Sequence, residues 1–60
     1  MTLKQKAQIC LQRKNELPER YMHSIRYVIQ MPEHAGIKAC MAQSVNKAYQ
    51  TLMEKDAART

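Results

Sequence analysis

Two cysteines and two histidines, Cys10, His23, His34 and Cys40, are the residues whose chemistry could go beyond packing and surface charge. Zinc held by local chelation needs cysteines roughly two to four residues apart, or histidines roughly three to five. No pair here is so spaced, and His34 and Cys40 fall on different faces of any helix that carries both. No metal site is expected. Cysteine–histidine catalysis would further need a pocket, an oxyanion site and a lowered thiol pKa. A chain of 60 residues offers little room for them. With no glycine-rich phosphate loop and no paired carboxylates either, the expectation is a non-enzyme without cofactor or small-molecule substrate.

Binding chemistry is better represented. Arg20, Tyr21, Arg26 and Tyr27 interleave cations with aromatics, a combination that can pair with phosphates and stack on bases. The same tyrosines suit a protein interface, Tyr21 packing inward and Tyr27 at a subunit contact. The formal net charge is +5, and it is uneven. Residues 1–30 carry six Lys and Arg against two Glu, whereas residues 31–60 carry four against three acids. A basic first half suits a polyanionic partner. Lys4, Lys6, Arg13, Arg20 and Arg26 are the candidate phosphate contacts and Tyr27 the candidate stacking residue, with DNA or RNA as the polyanion. The alternative is a protein-binding module, an inhibitor or adaptor that docks a helical face onto a larger partner.

The elements that must position these residues read as helical. Over 3–16, Leu3, Ala7, Cys10, Leu11, Lys14 and Leu17 share one stripe, behind Thr2 as N-cap. Pro18 disfavours helical geometry at Leu17, so a break or kink is expected there, or the opening of the next helix. Tyr21–Met31 holds the densest bulky apolar material. As a helix it buries Tyr21, Met22, Ile25, Val28 and Ile29 and shows His23, Arg26, Tyr27 and Gln30. As a strand, its alternation would have to pair with a second copy, giving a helix–strand–helix dimer. The helix is preferred. Spacings of four and three run on across Pro18 from Leu3 to Val28, which also admits one kinked helix over 3–30. Pro32 and Glu33 predict the start of a last helix that reaches about Ala58 and buries Ile37, Met41, Val45, Ala48 and Leu52. Gly36 in its first turn would allow close approach of another backbone.

The expected fold is therefore all-α: a small helical hairpin over 1–60, its first arm kinked or broken at Pro18, the latter giving three helices. Leu, Ile, Val and Phe together make only 10 of the 60 residues, below the roughly 20% at which disorder becomes a concern. A homodimer that shares its core is the expected remedy. Its core or dimer residues would be Leu3, Cys10, Leu17, Tyr21, Ile25, Val28, Ile37, Met41, Val45, Ala48 and Leu52. Lys14, inside the stripe, would set register. The longest apolar run, Ala39–Ala42, is far too short for a membrane span, and the first residues form no secretory signal. With two cysteines expected to be reduced, the setting expected is cytoplasmic. Beginning at Met1 without a tag-like tail, the chain reads as a complete small gene product, of a kind at home in a phage or plasmid.

In length, turn position and scattered residues (Met1-Thr2, Lys6, Arg13, then Glu33, Ala35, Ile37 and Tyr49) the chain resembles the plasmid-borne repressor-of-primer proteins. The resemblance is architectural. It implies a dimer of helical hairpins forming a four-helix bundle that grips paired RNA loops. Lys14 stands near where that family places its RNA-gripping aromatic, and Pro18 departs from its straight first helix.

Overall fold

The structure, a computed structural model, describes residues 1–32 and 36–59. It is all-helical: α1 spans Leu3–Gln12, α2 Met22–Gln30 and α3 Ala39–Arg59, with 3-10 turns at Lys14–Glu16 and Glu19–Tyr21. No strand occurs among the described residues. The strand reading of Tyr21–Met31 is thereby corrected, and a local reason is visible. As a helix, the segment buries Tyr21, Ser24, Ile25 and Val28 along one side. Alternation would have divided those residues between two faces.

Each boundary has a chemical cause. Thr2 Oγ1 accepts from the Gln5 amide (3.1 Å) while Gln5 Oε1 accepts from the Thr2 amide (2.9 Å), a capping box that satisfies otherwise orphaned donors. At Arg13 (φ −109°, ψ 29°) the α-helix tightens into the first 3-10 turn. Leu17 is extended (φ −122°, ψ 149°) and so is Met31 (φ −77°, ψ 142°). Both precede a proline, whose ring excludes helical geometry from the residue before it. Pro18 therefore breaks the chain rather than kinking it. It precedes the second 3-10 turn, its carbonyl accepting from the Tyr21 amide (3.1 Å).

The broken arm reverses direction. Lys4 Nζ donates to the Met31 carbonyl at 3.3 Å, although a continuous helix would hold these residues about 40 Å apart at 1.5 Å per residue. The expected 3–30 helix is thus excluded. The unbroken stripe across Pro18 records two separate helices, each burying its own side. Lys6 reaches Asn46, and Arg13 reaches Asp56, so α1 runs parallel to α3 while α2 runs antiparallel to α1. Each helix packs on both others. This three-helix arrangement departs from the straight-armed hairpin that resemblance to repressor-of-primer proteins implies.

The last helix begins later than its sequence suggests. Pro32 lies outside any helix, and α3 starts at Ala39. Glu33, the expected first-turn acid, lies with His34 and Ala35 outside the described residues. A helix begun at Pro32 would carry Gly36 near its start, at a cost of up to about 1 kcal/mol relative to alanine. Ile37 stays half-buried against the core from its non-helical position. Gly36 is exposed and a Cβ there would meet nothing within 4 Å, so no backbone among the described residues makes the close approach expected there.

Ala7, Cys10, Leu17, Tyr21, Ile25, Val28, Val45, Ala48 and Leu52 form the core. Leu3, Ile9, Leu11, Ile29 and Ile37 pack against it, as do Met22, Met41, Tyr27 and Tyr49. All ten branched aliphatics of the sequence thus lie in or against one core of the chain. Ser24, also buried, carries no apolar signal that would have placed it there. The radius of gyration, 11.2 Å, is close to the roughly 10.4 Å expected of a compact 60-residue domain.

Two substitutions test this packing in opposite directions. Ile25→Val should cost about 0.5–1.5 kcal/mol, since Ile25 is fully buried. Gly36→Ala should instead stabilise by about 0.4–1 kcal/mol, because no positive φ holds the glycine in place. Urea titrations read both, and a destabilising Gly36→Ala would contradict the open space around it.

Candidate nucleic-acid interface

The most elaborate polar assembly joins α3 to the end of α1. Arg13 Nε and Nη2 donate to Glu16 at 2.7 and 2.8 Å. Its Nη1 and Nη2 donate to Asp56, both at 2.8 Å. One guanidinium thus holds two carboxylates in forked geometry, which its planar donors suit and a lysine could not reproduce. Lys55 Nζ stands 3.4 Å and Arg59 Nη2 3.7 Å from Glu16 Oε1. The Arg13 hydrogen bonds hold Glu16 down to about 2, Lys55 helping, and lower Asp56 in the same direction. Those same bonds raise Arg13 further above its usual range. Burial raises the Cys10 thiol, against the charge of nearby Arg13, so that cysteine is held in its unreactive form.

The other expected phosphate contacts are dispersed. Lys4 turns toward the end of α2, beside a cavity of about 290 Å³ lined largely by Leu3, Val28, Met31 and Ile37. Lys6 turns toward α3, its ammonium 3.1 Å from Asn46 Oδ1 and 5.5 Å from the centroid of Tyr49. Arg20 lies over the ring of its neighbour Tyr21 at 5.2 Å. Arg26 is exposed, with no partner among the described residues. Tyr27 is half-buried, packed against the core. Lys14 is exposed on the first 3-10 turn, away from any seam.

The six candidates therefore do not make one surface. What remains together is the outward side of α2 and the turn before it: Arg20, His23, Arg26 and Gln30, all exposed, three or four residues apart, with Tyr27 between them. Arg13 is committed to the fold. Glu16, three residues on, was within sight of sequence reasoning, but Asp56 lies 43 residues away and no local pattern announces it.

Among the described residues no cluster of three or more His, Cys, Asp or Glu could hold a metal, and no helix is long and apolar enough to cross a membrane. Cys10 is buried and Cys40 exposed, both free. No family model, curated protein or solved structure matches the chain.

The lowered carboxylates set an acid limit. A carboxylate held below its ordinary value adds stability that is complete above that value and lost as pH falls toward the folded one. For Glu16 the window runs from about 4.5 down to about 2. Thermal unfolding should therefore be level from neutral pH to about 4.5 and fall below it. Glu16→Gln should melt lower at neutral pH and show a shallower acid decline. An unchanged acid limb in that variant would remove Glu16 from the account.

Proposed function

We propose that this chain is a small non-enzymatic regulatory protein that binds nucleic acid, with the outward side of α2 as its principal contact. The supporting observation is where the acids go. Glu16 and Asp56 are neutralised by Arg13, Lys55 and Arg59 at one end of the bundle. Of ten Lys and Arg and five Asp and Glu, that leaves seven against three for the rest of the chain. That remainder keeps a net charge of +4 of the chain's +5, which a polyanion meets as a basic surface. Arg20 and Arg26 contact phosphates, and His23 and Gln30 hydrogen-bond to backbone or base edges, with half-buried Tyr27 between them. Lys4 and Lys6 act through their field, their ammonium groups already engaged.

Fluorescence anisotropy with labelled duplex DNA, duplex RNA and single strands, across a salt series, tests this reading. Affinity should fall steeply with salt, and for duplex DNA each of Arg20→Gln and Arg26→Gln should reduce the log–log slope by about 0.9. No binding to any of these at low salt would overturn the proposal. Capture of one protein partner that survives high salt, without a nucleic-acid shift, would make the chain a docking module instead.

A further inference from the structure

A cavity of about 290 Å³ lies where the start of α1 meets the end of α2 and the segment that leads to α3. Its walls are apolar: Leu3, Val28, Met31, Pro32 and Ile37. Thr2 and Pro32, both exposed, place its mouth at the surface. The polar members of the lining are Thr2 and Lys4. Thr2 has its amide and its hydroxyl oxygen engaged in the capping box with Gln5. Lys4 has capacity to spare. A lysine ammonium carries three donors, and one of them goes to the Met31 carbonyl at 3.3 Å. No carboxylate pairs with it among the described residues. It is also half-buried, so its charge is screened less than that of a lysine in open water.

We propose that this cavity binds a free medium-chain aliphatic carboxylate, its chain against Leu3, Val28, Met31 and Ile37 and its head on the Lys4 ammonium. Three features select this class of ligand. Apolar walls with one convergent charge are the usual make-up of a small-molecule site, the charge fixing orientation. A single cation without an acid beside it matches a single negative charge. The volume stands at the small end of ligand sites, which run from roughly 300 to 1,000 Å³, and suits one short chain rather than a two-chain lipid. The ligand also supplies what the sequence lacks. An unfilled hollow forfeits packing contacts, and a chain with only ten residues of Leu, Ile, Val and Phe gains apolar contact from a bound aliphatic. Because the ligand binds the folded chain, it raises stability. None of the lining residues belongs to the outward side of α2, so the site does not depend on the nucleic-acid reading.

Two-dimensional NMR of the full chain, titrated with butanoate, hexanoate and octanoate, tests this, with octanol and octylamine as controls. Shifts should saturate and centre on Leu3, Val28, Met31 and Ile37. Affinity should rise about fourfold for each added methylene. Octanoate should bind about tenfold or more tightly than octanol or octylamine, the margin of a charge-assisted hydrogen bond. Lys4→Gln should bring octanoate down to the level of octanol with helical circular dichroism unchanged, since Lys4 lies outside the core. Arg26→Gln should leave the affinity unaltered. No saturable shift with octanoate, equal affinity for octanol, a Lys4→Gln variant that binds octanoate as well, or shifts centred on Arg20 and Arg26 would each overturn the proposal.

Discussion

Two peptide units that cannot be helical determine how this chain is assembled. Leu17 and Met31, each followed by proline, are held extended, and between them lies the most apolar segment of the sequence. A chain so poor in large aliphatics can close a core only by bringing three apolar sides to one place. A single straight arm would have left much of its stripe in water. Cutting the first half at Leu17 folds α2 back along α1, and Tyr21, Ile25 and Val28 meet Ala7 and Cys10 while α3 supplies Val45, Ala48 and Leu52. The small residues matter to this geometry. Ala7, Cys10 and Ala48 take little room, which allows close approach of the helices that bear them.

Arg13 completes the arrangement at the end where α1 runs out. Its fork to Glu16 ties down the 3-10 turn before Leu17, and its fork to Asp56 fixes the long α3 against α1. Pairs this exposed contribute little one at a time, but a guanidinium shared by two carboxylates and backed by Lys55 and Arg59 is a network with directional constraints. It also changes what the surface presents. Two of the five acids are paired with three of the ten cations, while Arg20 and Arg26 keep their charge outward.

Helix content and the inward residues were legible in the sequence because both are local. Spacings of three and four depend only on the helical repeat, and the proline rule acts on one neighbour. The direction taken at Pro18 was not legible. The stripe keeps phase whether the chain bends or reverses, and the decisive contacts, Lys4 with Met31 and Arg13 with Asp56, span 27 and 43 residues. The late start of α3 escaped for a related reason: Pro32 and Glu33 look like a helix opening, and what overrides them is a backbone preference at Gly36 together with the packing of Ile37. Among the candidate contacts, charge could be counted but not its commitments. Arg13 and Arg26 are equivalent in the sequence and opposite in the structure, one enclosed by carboxylates and the other turned to water.

Scarcity of aliphatic residues links the fold to its surface. Once Leu3, Ile9, Leu11, Ile29 and Ile37 have been drawn against the nine core residues, no branched aliphatic side chain stands fully exposed, and the charged residues dominate what the surface presents. In a chain of net +5, the cationic side of α2 suits an anionic partner.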